Sequence, residues 1–185
     1  MKSMKKRNET VSEKAYVIWL TGISGSGKTT LGKKIAAGIK RKYGKVEFID
    51  GDEVRSFFEG DLGYSRNDRI LNVRRIAFAA MLLAKNGTNV VVANIAPYYE
   101  VRDFIRRHIK NYIQIYLRSS LKEVMKRDIK GHYGKFHNGD MKNIIGLDDK
   151  YDVPRKPDLT VDTDTESVSL SLKKINVFFK NRKIL

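Results

Sequence analysis

Short apolar runs alternate along the chain with longer segments whose apolar residues recur every three or four positions. The short runs are typical of buried strands, and the longer spacing is typical of amphipathic helices. The predicted strands are Tyr16–Leu20, Val46–Asp50, Asn89–Ile95, Tyr112–Leu117 and Leu159–Asp162. The predicted helices are Thr29–Lys42, Glu53–Phe58, Asp68–Lys85, Tyr98–Ile109, Leu121–Ile129 and a final helix opening at Thr163. We therefore expect an α/β fold with three layers, in which helices cover both faces of a doubly wound parallel sheet of about five strands.

The final helix has its own start signal. Thr163 and Glu166 are spaced as in a capping box, in which each side chain bonds a backbone N–H at the helix start. An apolar stripe follows at helical spacing and is predicted to pack on the sheet. The residues of that stripe are Val168, Leu172, Ile175 and Phe179.

The stretch from residue 130 to residue 157 interrupts the alternation of strands and helices. It is rich in glycine and proline and is too long for an ordinary connection. His132, Tyr133, Lys135, Phe136 and His137 supply cationic and aromatic groups that a plain linker does not need. We interpret the stretch as a mobile lid that closes over a site and excludes water. A surface loop without function is the alternative.

The first predicted strand and helix are joined by Gly22-Ile23-Ser24-Gly25-Ser26-Gly27-Lys28-Thr29, a full match to G-x-x-x-x-G-K-[ST]. Glycines let the backbone curl so that successive N–H groups point at phosphate oxygens, and the following helix directs its positive end at the same anions. Lys28 adds a mobile cation with a catalytic role, and Thr29 offers a hydroxyl to Mg²⁺. The predicted ATP-binding residues are Gly22, Ile23, Ser24, Gly25, Ser26, Gly27, Lys28, Thr29 and Thr30.

Composition indicates one globular domain. The chain has 185 residues, of which 41% are hydrophobic, and we assign residues 15–185 to a single domain after a flexible basic extension, residues 1–14. Cysteine is absent from the sequence, which excludes disulfides and thiolate metal sites and fits a reducing compartment. No apolar run approaches the roughly 20 residues of a membrane span. We expect a cytoplasmic protein that does not contact a membrane.

A formal net charge of +16 is also typical of proteins that bind nucleic acid. Basic residues are scattered through the extension, the first helix and the last helix, and no recognition helix or aromatic RNA-binding motif accompanies them. A lysine-rich surface around a phosphate-binding site explains the charge with fewer assumptions. We expect a nucleotide substrate and no nucleic acid, and a nucleic-acid-binding P-loop protein stays as the alternative from another class.

A second polar group follows the second predicted strand. Asp52 lies where the strand ends and a helix begins, on the same edge of the sheet as the phosphate loop. A carboxylate at this place can accept a hydroxyl proton, while Arg55 can hold a substrate phosphate. A simple helix cap for Asp52 and a solvated position for Arg55 are the alternatives.

Several further motifs occur in a fixed order from about residue 15 to the end. They are Asp50 to Arg55, Asp61 to Asn72, Ile95 to Tyr98, Arg127 to Tyr133, Gly146 to Asp149 and Asp162 to Asp164. In that order they follow the patterns D-G-D-x-x-R, D-L-G-[FY]-S-x-x-D-R-x-x-N, I-S-P-Y, R-D-x-K-G-x-Y, G-[IL]-D-D and D-T-D. Through these motifs and the phosphate loop, the chain resembles the adenylylsulfate (APS) kinase family of the P-loop kinase superfamily.

The resemblance implies an activity. Members of this family transfer the γ-phosphoryl group of MgATP to the ribose 3′-hydroxyl of adenosine 5′-phosphosulfate (APS), giving PAPS, the activated form of sulfate. By motif, Asp52 is the catalytic base, Arg55, Arg69 and Asn72 hold the acceptor, and Tyr64 stacks on its base. The implied acceptor-binding residues are Asp52, Arg55, Tyr64, Arg69, Asn72, Ile95, Ala96, Lys130, Asn143 and Ile144. ATP and Mg²⁺ are the implied cosubstrate and metal, and a homodimer is left open.

The chain departs from the family pattern at two places. Ala96 stands where the family usually has serine, so a phosphoserine intermediate at this position is excluded and direct transfer is expected. Ile144 stands where the family has a phenylalanine that covers the acceptor's adenine. An isoleucine keeps the apolar contact but loses the stacking of the ring, which is worth about 1 kcal/mol. With His137 and Asn94, this change predicts a relaxed preference for adenine. Relatives encoded among capsule-synthesis genes phosphorylate cytidine diphosphoramidate, which is the alternative acceptor.

A third interpretation is a regulatory module that binds nucleotide without turnover. Lys28, Thr29, Asp52 and Arg55 are all present, and a protein without catalysis has no chemical reason to keep this set. The sequence therefore favours an active kinase.

Overall fold

A computed structural model describes residues 14–128 and 131–184. The strands are β1 (Val17–Thr21), β2 (Val46–Asp50), β3 (Asn89–Ala93), β4 (Tyr112–Arg118) and β5 (Leu159–Asp162). The helices are α1 (Lys28–Tyr43), α2 (Gly51–Phe57), α3 (Arg66–Lys85), α4 (Tyr99–His108), α5 (Leu121–Arg127), α6 (His132–His137) and α7 (Val168–Asn181). The predicted order of strands and helices is confirmed, apart from α6, which was not predicted.

The strands form one parallel sheet in the order β2-β3-β1-β4-β5. β1 is central and every one of its residues is buried, as are those of β3 beside it. Because the chain leaves β1 toward β2 on one side and returns later to β4 and β5 on the other, the sheet is doubly wound. The predicted fold class is confirmed.

The two faces of the sheet carry separate cores. Val17 and Trp19 of β1 point into the first core, which α3 and α4 cover. Ile18 and Leu20 point into the second, where α1 and α7 pack with residues such as Ile35. This alternation is the period of two that a strand buried on both faces requires.

The predicted start of the last helix is wrong. α7 begins at Val168, and the hydroxyl of its N-cap Ser167 accepts the backbone N–H of Leu170 at 3.3 Å. The Thr163 hydroxyl instead donates to the backbone carbonyl of Arg118, and Glu166 accepts the backbone N–H of Asp162. These contacts close a turn at the end of β5. The side chains of Thr163 and Glu166 therefore bond to the edge of the sheet and do not cap the helix.

The apolar stripe of α7 is correct only toward its C-terminal part. Ile175 and Phe179 are buried in the second core, and Leu172 packs against them. Val168 is 42% exposed, because it is the first residue of α7 and the first turn of this helix lies at the protein surface.

The stretch interpreted as a lid is more regular than expected. Within the described residues 131–157 it contains α6 and a turn in which Ile145 bridges to Asp149. Tyr133, Ile144 and Ile145 are buried in the first core, so the segment packs firmly on the domain. Its mobility stays a prediction. The expected flexible extension lies almost entirely outside the described residues, since they begin at Lys14.

None of the helices within residues 14–128 and 131–184 has the length and apolar character that crossing a membrane requires.

Candidate active site

A cleft of about 470 Å³ opens at the carboxyl ends of β1, β2 and β3. This is the edge where ligands bind in doubly wound sheets, and the volume suits a small organic ligand. The phosphate loop after β1 forms one wall, and the segment after β3 forms another. The remaining walls come from the start of α2, from α3 and from the lid.

The phosphate loop has the backbone shape that its glycines predict. Gly22, Gly25 and Gly27 have φ values of +153°, +78° and +88°. Gly27 is the N-cap of α1 and offers no side-chain acceptor, so the N–H groups of the first helical turn have no side-chain cap. The ammonium group of Lys28 donates to the carbonyls of Gly22 and Ile23, at 2.9 and 2.7 Å, which holds its charge over the loop. The loop is built to bind an anion.

Two carboxylates lie where β2 ends and α2 begins, and their roles differ. Asp50 accepts the hydroxyl of Thr29 at 2.8 Å through Oδ2 and the backbone N–H of Asp52 at 3.0 Å through Oδ1. Because the Thr29 hydroxyl donates its hydrogen to Asp50, the lone pairs of its oxygen are free to face a cation. Asp52 is exposed in the first turn of α2 and lines the cleft. A base for a substrate hydroxyl therefore stands near the phosphate loop.

The wall opposite the phosphate loop carries aromatic and cationic groups. The guanidinium carbons of Arg55 and Arg69 lie 4.8 and 5.3 Å from the ring centroid of Tyr64. Arg55 also donates to the carbonyls of Leu62 and Gly63, which fixes the loop that carries the tyrosine. An aromatic face between two cations is well placed to hold a base next to a phosphate.

Arg69 also joins α3 to the lid. It donates to the carbonyls of Tyr64 and Asn143, and its Nε lies 3.8 Å from Asp149. Burial lowers the pKa of its guanidinium from the ordinary value, against the opposing effect of Tyr98 and Asp149. Several of its donors are thus used to hold the protein together, so its predicted role in holding acceptor phosphate stays a prediction.

Asn72 is nearly fully buried on α3, with 3% of its surface exposed, and it lines the cleft. Its Nδ2 donates to the carbonyl of Gly51 at 3.3 Å, and its Oδ1 has no hydrogen-bond partner in the described part of the chain. A buried oxygen without a partner costs free energy, which a hydroxyl or amino group of a ligand can recover.

The lid loop that carries Ile144 is shaped by two successive carboxylates. Asp148 accepts the backbone N–H groups of Asn143 and Ile144, which holds Asn143 at a left-handed φ of +61°. Asp149 accepts the hydroxyl of Tyr98 at 2.6 Å, and burial raises the pKa of that hydroxyl. Ile144 is thereby fixed in the wall of the cleft.

The cleft brings together most of the residues predicted from the sequence. Those that line it are Ser24, Gly25, Gly27, Lys28, Thr29, Thr30, Asp52, Arg55, Tyr64, Arg69, Asn72, Ile95, Ala96 and Ile144. Gly22, Ile23, Ser26 and Asn143 support the loops and are not among its described lining residues. Ile23 packs toward Gly146 and Leu121 instead. The remaining predicted residue, Lys130, lies outside the described residues.

The cleft also contains polar residues that the sequence interpretation did not assign to the site, among them Asp50 and Lys33. His132, which the sequence interpretation placed in the lid, lines the cleft as well. Asp50 could have been found, because it is the last residue of β2 and the ends of parallel strands meet at one edge. Lys33 lies on α1, where the sequence indicated only that the lysines face solvent. The packing of α1 against the sheet places it at the cleft.

Tyr133 fastens the lid to the phosphate loop. Its hydroxyl donates to the carbonyl of Ser24 at 3.0 Å. We expect Tyr133→Phe to lower the free energy of unfolding by about 0.5–1.5 kcal/mol, because the Ser24 carbonyl loses its donor. Burial raises the pKa of this hydroxyl to about 12. The contribution of the neutral hydroxyl to stability is therefore complete below about pH 10, the pKa of an unfolded tyrosine. It is lost as the pH rises toward the pKa in the folded protein.

Urea denaturation of both proteins near neutral pH and above about pH 10 measures this effect. Tyr43→Phe, on the face of the sheet away from the lid, is the matched control. Equal stability of the wild type and Tyr133→Phe near neutral pH would contradict the role of the hydrogen bond.

The doubly wound sheet, the phosphate loop after β1 and the carboxylate after β2 define a P-loop kinase. The model of the adenylylsulphate kinase family matches residues 14–162. The chain belongs to that family.

The similarity extends over nearly the whole chain. Adenylyl-sulfate kinase of a Picosynechococcus strain is 38% identical over 165 residues, which cover 89% of this chain and 93% of that protein. Adenylyl-sulfate kinase of Myxococcus xanthus is 38% identical over 174 residues, covering 92% and 94%. The structure of Mycobacterium tuberculosis APS kinase in complex with AMPPNP and APS superposes with a TM-score of 0.83 at 30% identity, covering 90% of this chain and 98% of that one.

Proposed function

We propose that this protein transfers the γ-phosphoryl group of ATP to the ribose 3′-hydroxyl of APS, producing PAPS and ADP. One observation carries the proposal: a single cleft holds the phosphate loop, the carboxylate of Asp52 and the aromatic and cationic wall around Tyr64. A kinase that joins two nucleotides needs this arrangement of donor and acceptor sites. The names of the relatives above support APS as the acceptor over cytidine diphosphoramidate or nucleic acid.

The reaction needs one base and a set of cations. The 3′-hydroxyl oxygen attacks the γ-phosphorus, its proton passes to Asp52, and the bond from the γ-phosphorus to the bridging oxygen breaks to release ADP. Lys28 and the backbone of the phosphate loop stabilise the charge on the phosphates. Ala96 lines the cleft without a hydroxyl, which supports direct transfer without a phosphoserine at this position.

The residues present fit the predicted magnesium ion. The hydroxyl of Thr29 and the carboxylate of Asp50 lie together beside the phosphate loop, and hard oxygen ligands of this kind suit Mg²⁺. In the described part of the chain, no group of three or more His, Cys, Asp or Glu residues could hold a metal. This agrees with an ion held largely by substrate phosphates, whose charge it would neutralise.

An assay of ADP release with separate acceptors tests the proposal. We expect turnover that depends on APS and on Mg²⁺. Turnover with cytidine diphosphoramidate but none with APS would overturn the assignment of the acceptor. A salt-sensitive gel shift with RNA or DNA that survives Lys28→Ala, in the absence of APS turnover, would favour the nucleic-acid alternative.

We also propose that the protein forms a homodimer through α3. Leu71, Phe78 and Leu82 are spaced along one side of this helix and are 44%, 60% and 42% exposed. Exposed apolar stripes of this kind favour association. A hexameric APS kinase from Thiobacillus denitrificans, 28% identical and with a TM-score of 0.71, supports association of chains in this family; the match covers 97% of this chain and 31% of that one.

Light scattering during gel filtration tests the dimer. We expect the mass of a dimer for the wild type and a shift toward the monomer for Phe78→Glu, because a charge at a buried contact opposes association. Val177→Glu, on the exposed side of α7, is the matched control. A monomeric wild type would rule out this dimer.

A further inference from the structure

The short segment Asn94–Pro97, which we call the acceptor turn, joins β3 to α4 and lines the cleft. Ala96 has a φ of +41°, a left-handed value that side chains other than glycine rarely adopt. It also precedes a proline, which further restricts its backbone. The local sequence therefore does not favour this shape, and contacts from elsewhere must hold it.

The carbonyl groups of the acceptor turn are each bonded by a different residue. Trp19 Nε1 donates to the carbonyl of Asn94 at 3.2 Å, and the Thr21 hydroxyl donates to that of Ile95. Arg102 Nη1 donates to the carbonyl of Ala96 at 2.7 Å. The carbonyl of Pro97 accepts the backbone N–H of Asp152 at 2.9 Å. The turn is thus held from β1, from α4 and from the chain that returns from the lid.

Arg102 is the unusual member of this set, because it is a buried cation with 5% of its surface exposed. Its Nη1 and Nη2 donate to the carbonyls of Ala96 and Asp152, and its guanidinium carbon lies 5.2 Å from the ring centroid of Tyr99 and 5.7 Å from that of Tyr151. Burying a charge is costly, and an apolar side chain would fill the same space at lower cost. The presence of a guanidinium here is therefore explained by the two segments that it joins, the acceptor turn and the end of the lid.

We propose that Arg102 is a positioning residue for the acceptor, and that Thr21 supports the same turn from β1. This inference rests on the proposed function. Both side chains hold the turn from outside the cleft, so that Ile95 and Ala96 form a fixed wall before the acceptor nucleotide enters. Their side chains form hydrogen bonds to the acceptor turn, to Tyr151 and to Asp152. We therefore expect changes to these side chains to affect the binding of APS more than the binding of ATP.

The test compares Arg102→Lys with the wild type. A lysine has one charged nitrogen and no planar fork, so it cannot hold both carbonyls in the same geometry. We expect kcat/KM for APS to fall about 10- to 100-fold, as displacement of a positioning group does, with the KM for ATP changed by no more than about twofold. Arg107→Lys, an exposed position on the same helix, is the matched control and should behave as wild type.

A second variant tests the proposal even if Arg102→Lys does not fold. Thr21→Val keeps the shape of the side chain and removes the hydroxyl that bonds Ile95. It should raise the KM for APS more than the KM for ATP. Thermal shifts give a readout apart from turnover: AMPPNP should raise the melting temperature of every variant equally, and APS should raise that of Arg102→Lys and Thr21→Val less than that of the wild type.

The outcomes separate the two proposals. A wild type that neither binds nor phosphorylates APS contradicts the proposed function. An active wild type, together with variants whose KM values for APS and ATP stay unchanged or rise equally, overturns the role of Arg102 and Thr21. If Arg102→Lys does not fold, Thr21→Val decides alone.

Discussion

Replacement of Asp52 with asparagine is expected to slow phosphoryl transfer severely while leaving ATP binding nearly intact. Asparagine keeps the size of the side chain but cannot accept the proton of the 3′-hydroxyl, so kcat should fall about 10²- to 10⁴-fold. The backbone N–H of residue 52 would still donate to Asp50, which keeps the start of α2 in place. Steady-state kinetics with APS and a thermal shift with AMPPNP measure the two effects.

Glu53→Gln is the matched control for this prediction. Glu53 follows Asp52 on α2 and also lines the cleft, and the change likewise replaces a carboxylate with an amide. It should keep a kcat close to that of the wild type. A kcat for Asp52→Asn within about threefold of the wild type would remove Asp52 from the role of base.

Substitution of Gly22 by alanine is expected to remove ATP binding. A Cβ at this position would lie 2.5 Å from the carbonyl oxygen of Leu117 and 2.6 Å from Oγ of Ser26, and the φ of +153° is unfavourable for alanine. Because Leu117 belongs to the central part of the sheet, the loop must move instead. We expect a loss of about 1–3 kcal/mol in the free energy of unfolding and no thermal shift with AMPPNP.

Gly38→Ala provides the contrast for Gly22→Ala. Gly38 lies within α1, and a Cβ there would meet no atom within 4 Å. The helix should gain about 0.5–1 kcal/mol, since alanine loses less backbone entropy than glycine. A Gly22→Ala protein that binds AMPPNP as tightly as the wild type would contradict the requirement for glycine.

Prediction from the sequence succeeded where the signal was local. The buried run of β1, the glycines of the phosphate loop and the apolar spacing of α1 each reflect a few neighbouring residues, and each lies where it was expected. The start of α7 failed for the opposite reason. Thr163 and Glu166 have the spacing of a cap, but β5 pairs with β4 so that its end lies beside Arg118. Thr163 therefore bonds the carbonyl of Arg118, and Glu166 bonds the backbone N–H at the end of β5.

The site was predicted in part. Asp52 was predicted from its place after the second strand and Tyr64 from its motif, and both line one cleft in the structure. Asp50 was missed because its role depends on the distance to Thr29, which is 21 positions away in sequence. Arg102 was missed because a charged residue in an amphipathic helix normally faces water, and only the packing of α4 against the lid shows that this one is buried.

By itself, the sequence determined the class of fold, the phosphate loop and the family, because these depend on the order of strands and helices and on short motifs. Only the tertiary structure decided how the acceptor side is held. Trp19, Thr21, Arg102 and Asp152 are distant in sequence and meet at the acceptor turn because the strand order places β1 beside β3 and the lid returns next to α4. Such contacts leave no periodic pattern in the chain, since each is a single hydrogen bond between remote residues.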